Sequence, residues 1–328
     1  MNLFLTSSCN ERCAFCYADT FFERADRLAR PEAIAALRGH LRTYADLVSR
    51  GAPLPEYSPQ LDEETLTLFS SRTVNLLGGE PTLHPAFGEL VTDIAGLGLG
   101  VMVFTNASQP ARINAVKEHL WSVVLNGHFA ERARDLEIEP MRIHANLPLQ
   151  PGHAVGPILT KIHEAGIRTL YLAFAAPSPS GEGAHFTPDD LQAMRAMQEE
   201  AVEFCAAHEI FLAYDCSFPV CVDERVLQTK CTSVPVMDTE GYLTICGGEY
   251  FYDQGKRHIS TFADYREIHA FTYGLISGMR SLPSKFEVCN DCEHFNQRCH
   301  GMCLAFREKP VEGSLPLPAT RSLPLAAE

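Results

Sequence analysis

Twelve cysteines are spread very unevenly along this 328-residue chain. Three stand at positions 9, 13 and 16, none between 17 and 204, and nine between 205 and 303. Cysteines scattered through a core would not leave such a gap. The pattern asks for two thiol-bearing regions separated by a scaffold that has none. The opening stretch MNLFLTSSC lacks a basic segment, and its apolar part is too short for a signal peptide or membrane span. A cytoplasmic chain is expected, and there cysteines serve as metal ligands or catalytic groups rather than disulfides.

The scaffold reads as alternating strands and helices. Short apolar runs predict strands at 2–6, 73–77, 101–105, 122–125, 142–147, 169–174 and 210–214. Between them, Pro85 opens a helix with Leu90, Ile94 and Leu97 on one face. Thr187-Pro188-Asp189-Asp190 opens another, whose apolar face is Leu191, Met194, Ala201, Phe204 and Cys205. Strands alternating with helices imply a parallel sheet, open or closed into a partial barrel. In such folds the loops after the strands carry the chemistry. Two stretches, 51–60 and 176–188, are rich in proline, glycine or serine and read as loops over that face. The low-complexity end SLPLPATRSLPLAAE reads as disordered. Hydrophobic residues make up 46 % of the chain, which is enough for one large domain or two smaller ones. A net charge of −14 with no basic run argues against a nucleic-acid surface.

Cys9, Cys13 and Cys16 form C-x3-C-x2-C directly after the first strand, and Tyr17 follows. Soft thiolates select zinc or iron–sulfur clusters, and structural zinc wants four ligands. Here one loop offers three cysteines and no nearby histidine. Three thiolates on a four-iron cluster leave one iron open to a small chelating molecule. The second strand runs into Gly78-Gly79-Glu80-Pro81, where glycines permit close approach and Glu80 can pair with an ammonium group. By themselves the glycines could simply make a turn.

Together the two motifs resemble those of the radical SAM enzymes, whose C-x3-C-x2-C has an aromatic residue before the last cysteine, here Phe15. The resemblance implies a partial (β/α)6 TIM-like barrel of α/β class. It implies a 4Fe-4S cluster on Cys9, Cys13 and Cys16 that binds S-adenosylmethionine and cleaves it to a 5′-deoxyadenosyl radical. Tyr17, Gly78, Gly79, Glu80 and Pro81 then belong to the cofactor site. Asn106, Asn126 and Asn146, near later strand ends, are further candidates for its ribose or carboxylate. Polar residues there are also common turn formers.

The second cysteine region reads Cys231, Gly241 and Cys246 as C-x9-G-x4-C, then Cys289, Cys292, Cys299 and Cys303 as C-x2-C-x6-C-x3-C. C-x2-C pairs also suit a zinc ribbon. The set resembles the SPASM extension, which carries one or two auxiliary 4Fe-4S clusters. This chain has one extra residue in the third spacing and no cysteine after Cys303. The resemblance implies a first auxiliary cluster on Cys231, Cys246 and Cys303, and a second on Cys289, Cys292 and Cys299 that lacks its last ligand. The organisation expected is a barrel over 1–215, a small cysteine-rich C-terminal domain over 216–309 and a tail over 310–328. Cys205 is expected to be buried and inert. Cys221 is a candidate fourth ligand of the first auxiliary cluster. Cys216 and Cys221 are also candidate catalytic hydrogen donors to a substrate radical.

Proteins with this extension mostly modify peptides, sulfatase chains, sugars or aminocyclitols. Gly247 follows Cys246 where sulfatase maturases tend to carry an aspartate, which argues against that group. The expected function is oxidative modification of a peptide, as a crosslink or thioether, in ribosomal peptide maturation. The alternatives are a carbohydrate or aminocyclitol dehydrogenase or epimerase, and a non-catalytic metal-binding interaction protein. Expected partners are a flavodoxin- or ferredoxin-type reductant, a peptide or small polar substrate, and a separate peptide-recognition protein. Neither nucleic acid nor membrane is expected.

Overall fold

The computed structural model describes residues 1–13, 15–16, 30–51, 71–175, 190–215, 218–223, 234–245, 255–297, 299, 301 and 303–304. Tyr17, Cys216, Cys231, Cys246 and Gly247 lie outside the described residues, as do the two loops (but for Gly51) and the tail named above.

Seven parallel strands follow one another across the sheet in chain order: β1 (Asn2–Thr6), β2 (Thr73–Gly78), β3 (Gly100–Thr105), β4 (Ser122–Asn126), β5 (Ile143–Leu149), β6 (Thr169–Phe174) and β7 (Phe211–Tyr214). All seven stretches were expected as strands, with ends shifted by at most two residues. Helices α1 (Pro31–Arg50), α2 (Phe87–Gly96), α3 (Pro110–Asn114), α4 (Gly156–Glu164) and α5 (Asp190–Ala207) connect them. Parallel neighbours require such crossovers, so the order in the sequence becomes the order in the sheet.

Each strand presents alternate residues to the helices. In β5, Ile143, Ala145, Leu147 and Leu149 are buried in the main core, while His144, Asn146 and Pro148 are half-buried on the other face. The main core continues through Leu3 and Leu5, Val74 and Leu76, Val101 and Val103, Val123 and Leu125, and Leu170 and Leu172. Helix α1 covers it with Leu37, Leu41, Tyr44, Leu47 and Val48, at the three-to-four spacing of one helical face. Burying each of these side chains stabilises the fold by roughly 1.5–3 kcal/mol before entropy is counted. The Tyr44 hydroxyl, drawn into that core, donates to the Ser71 carbonyl at 2.8 Å and so is not left unpaired.

The helix faces match the periodicity closely. In α2, Leu90 and Ile94 are buried and Leu97 packs beside them; the helix opens at Phe87 rather than Pro85. In α5, Met194, Ala201 and Cys205 are buried as expected, and Leu191 and Phe204 pack against the core edge. Gln198 is also buried, because its amide donates to Tyr214 Oη and to Asp223 Oδ2 at 2.8 and 2.6 Å.

Beyond β1 the sheet continues with three strands that the sequence did not signal. These are β8 (Pro235–Met237), β9 (Tyr242–Ile245) and β10 (Arg257–His258). β8 pairs in parallel with β1, and β9 and β10 follow antiparallel, so one sheet carries all ten strands of the described residues. They are too short for a period to emerge from two to four residues. Helix α6 (Tyr265–Arg280) packs on them, and α7 (Glu287–Asn290) leads into the last cysteines. The β8–β9 turn explains the glycine between Cys231 and Cys246. Asp238 Oδ1 accepts from the Glu240 and Tyr242 amides, and Gly241 adopts φ +84°. A Cβ there would lie 2.7 Å from the His40 ring of α1.

Gly241→Ala is therefore expected to lower stability by about 1–3 kcal/mol, from left-handed backbone strain and the His40 clash. Urea unfolding with an unchanged m-value checks it; an unshifted midpoint would show that the turn is not held against α1.

Candidate functional site

The loop carrying Cys9, Cys13 and Cys16 leaves the carboxyl end of β1 and is fastened to the end of β2. The Gly79 amide donates to the Thr6 carbonyl at 2.7 Å, and the Glu80 amide to the Ser8 carbonyl at 2.8 Å. Both glycines are needed for this approach. A Cβ on Gly78, at φ +136°, would sit 2.1 Å from the Thr6 oxygen, and one on Gly79 would sit 2.2 Å from the Ser8 oxygen. The space that the glycines leave is thus filled by the cysteine loop itself.

Glu80 is 1 % exposed and ties three segments together. Its Oε1 accepts from the Thr82 amide (3.0 Å), the Thr82 hydroxyl (2.6 Å) and the Thr105 hydroxyl (2.7 Å). Its Oε2 accepts from the Asn106 amide at 2.7 Å. The buried charge is compensated by four donors, as a carboxylate away from water requires. Pro81, which follows, opens a single 3-10 turn, and Arg112 of α3 donates to the carbonyls of Thr82, His84 and Pro85.

Asn106 lies beyond β3 and carries the link back to the loop. Its Nδ2 donates to Asn10 Oδ1 at 3.0 Å, between Cys9 and Cys13. Arg132 adds a second brace: it donates to the Asn106 carbonyl at 2.8 Å and pairs with Glu11 at 2.9 Å. Phe15 stacks on His128 with ring centroids 5.0 Å apart. Burial, then the charges of His153 and Lys161, hold the His128 pKa below its usual value, so the partner of Phe15 is a neutral ring near pH 7. Cys16 packs against Phe4 and Val236, so β8 of the second cysteine region reaches the first. Asn10, Glu11, Thr82, His128 and Arg132 were not singled out in the sequence. Their partners are up to 121 residues away, and no local pattern marks them.

The three thiols are half-buried. Burial pushes Cys13 up to about 11, with the charges of Cys16 and Cys9 adding to it. Cys9 is raised too, chiefly by burial, and its sulfur accepts from the Glu11 amide at 3.4 Å. A metal centre on these thiols would have to displace their protons. Among the described residues, no group of three or more Cys, His, Asp or Glu side chains is disposed to hold a single metal ion. Cys9 and Cys16 nonetheless raise Cys13 by their charges, so the three sulfurs are neighbours. A four-iron cluster takes each thiolate on a different iron, so it does not need the three sulfurs to meet at one ion.

The strand-end asparagines are used in different ways. Asn126 Oδ1 accepts from the His128 amide and caps the 3-10 stretch Gly127–Asp135, as a turn former does. Asn146 Nδ2 donates to Asp215 Oδ2 at 2.9 Å. Asn126, Asn146 and Tyr171 are register neighbours on the sheet face away from the helices. Tyr171 is held above its usual pKa by burial and by the charge of Asp215. In the C-terminal region Cys289, Cys292 and Cys299 line one cleft, and Cys221 joins them there. Cys303 is half-buried against the main core instead. None of the nine described cysteines forms a disulfide.

No protein-family model matches the chain. Its fold matches that of Streptococcus suis SuiB bound to S-adenosylmethionine, with a TM-score of 0.58, 17 % identity, and 93 % of this chain and 72 % of that one covered. SuiB bound to precursor peptide SuiA matches with a TM-score of 0.55 and 17 % identity over 93 % of this chain and 70 % of that one. A curated relative, the S-adenosylmethionine-dependent nucleotide dehydratase of Flammeovirga pacifica, is 32 % identical over 108 residues. That match takes in 33 % of this chain and 30 % of the relative. The fold expected from the resemblance to radical SAM enzymes is the fold found.

Replacing Glu80 by glutamine puts an NH2 group against amide or hydroxyl donors and strands at least one of them. A loss of about 1–3 kcal/mol is expected, together with faster amide hydrogen exchange at Asn106 and Thr82. Unchanged exchange at both would remove Glu80 from its place as the tie.

Proposed function

We propose that this chain is a radical SAM enzyme that oxidatively modifies a peptide. The observation that carries the reading is the fastening of the three-cysteine loop to the Gly78–Pro81 stretch, in a fold shared with a protein bound to S-adenosylmethionine. Cys9, Cys13 and Cys16 would hold a 4Fe-4S cluster. Such a cluster, with one iron free of protein, supplies the electron that cleaves S-adenosylmethionine to a 5′-deoxyadenosyl radical.

The chain's own residues orient and shield this chemistry. Glu80 ties the β3 end with its side chain and the loop with its amide. Its Oε2 accepts a single bond among the described residues, which leaves a lone pair for the methionine ammonium. Phe15, seated on His128, would wall one side of the loop. Asn146, Tyr171 and Asp215 form a polar, hydrogen-bonding surface on the sheet face that the helices leave uncovered. This surface is where a polar substrate would be oriented. The SuiB structure with a precursor peptide supports a peptide as that substrate. An oxidative outcome needs an electron acceptor beside the substrate, and the cysteines between 221 and 303 are the residues that would house it.

Anaerobically reconstituted protein should form 5′-deoxyadenosine, and alanine at Cys9, Cys13 and Cys16 should abolish it while removing about four irons. Undiminished 5′-deoxyadenosine from that triple variant would overturn the radical SAM reading. Short peptides encoded beside the gene should lose two hydrogens for each new bond, as read by mass spectrometry. Turnover of sugars or nucleotides with peptides untouched would overturn the peptide assignment alone.

A further inference from the structure

Resemblance put Cys289, Cys292 and Cys299 on one centre and left it a ligand short. The structure brings a fourth cysteine to the same cleft from a different part of the chain. The cleft has a volume of about 40 Å3 and is lined by Cys221, Cys289, Cys292 and Cys299 together with apolar walls such as Leu191 and Phe295. A single water needs about 10–15 Å3, so the space suits a group of several heavy atoms rather than one ion.

Three of the thiols come from a tightly wound segment. The Cys292 amide donates to the Cys289 carbonyl, and the Phe295 amide to the Cys292 carbonyl, at 3.1 and 3.0 Å. The Cys299 amide returns to the His294 carbonyl at 3.0 Å. Gly301, at φ +63°, donates its amide to Cys299 Sγ at 3.3 Å, and a Cβ on it would strike the Phe295 ring. Amide bonds to sulfur stabilise thiolates and tune the potential of the clusters that they hold. Cys221 arrives from the opposite wall on residues 218–223. Phe218, 1 % exposed, packs on Phe174 and Tyr214 with ring centroids 4.6 Å away in each case. Asp223 accepts from Tyr214 and Gln198, and Arg195 of α5 donates to the Cys221 carbonyl. The segment is thus anchored on both sides of the thiol.

We propose that Cys221 is the fourth ligand of a four-cysteine iron–sulfur centre with Cys289, Cys292 and Cys299. Resting on the radical SAM reading, this deepens it: the centre is complete, and its fourth thiolate comes from the end of the barrel rather than from beyond Cys303. Assembly from two ferrous ions, two ferric ions and four sulfides releases the four thiol protons with no net change of oxidation state. The role of Cys221 as a hydrogen donor, and its membership of a centre with Cys231, Cys246 and Cys303, both fall away.

The test is iron and sulfide analysis with electron paramagnetic resonance on anaerobically reconstituted full-length protein. Cys221→Ala should lose about four irons relative to the parent. So should Cys292→Ala, and the double variant should lose no more than either. The signal of the Cys9, Cys13 and Cys16 cluster should persist in all three, which also shows that they fold. Cys221→Ser should keep its iron with an altered signal, since oxygen replaces one sulfur. Full iron retention in Cys221→Ala, an unaltered signal in Cys221→Ser, or loss of about eight irons in the double variant would each overturn the proposal. Stoichiometric zinc released only by the Cys221 and Cys292 variants would overturn the cluster in favour of a zinc site. Should the parent make no 5′-deoxyadenosine while these iron losses hold, the centre stands and the radical SAM reading fails.

Discussion

A backbone-to-backbone contact between two loops sets the position of everything in the first site. Thr6 and Ser8 offer their carbonyls, and Gly79 and Glu80 offer their amides, across a gap that admits no side chain. The cysteine loop would otherwise be a polar excursion with few contacts of its own. Held this way, it inherits the rigidity of the β1–β2 pair. Glu80 then extends the constraint through Thr105 and Asn106 to β3, and Asn106 closes the ring at Asn10. The arrangement is a circuit of hydrogen bonds in which each loop restrains the next.

The parts of this design that were legible in the sequence are those with a local period or a fixed spacing. Strand β5 alternates over seven residues, and α5 keeps Met194, Ala201 and Cys205 on one buried face, so each announces itself. The two motifs announce themselves by spacing. What the sequence could not show is which atoms the motif residues meet. The glycines of the second motif read as permitting close approach, and the sequence could not show that Thr6 and Ser8 are what a side chain there would meet. Asn126 was a ligand candidate and caps a turn, while Arg132 gave no signal and braces the loop. Tertiary pairing over about a hundred residues leaves no trace in any short window.

The second cysteine region shares a sheet with the first. Its strand β8 pairs with β1, and Val236 shares an apolar contact with Phe4 and Cys16. The turn at Gly241 rests on α1, and Cys221 is delivered by the end of the barrel's last strand. The two thiol regions, separated by some 190 cysteine-free residues in the chain, are therefore built into one continuous sheet.

The β1–β8 pairing also fixes a timetable. Asn2 lies opposite Val236, so β1 waits for a strand made 234 residues later. At about 5–20 residues per second that interval is roughly 10–50 s. During it, β1 can pair with β2 on one side only, and its other edge carries unpaired amides and carbonyls beside three reactive thiols. An uncovered edge is a template for pairing with another chain, and exposed thiols invite oxidation. Synthesis of this protein thus passes through a state in which that edge stays open until β8 has been made.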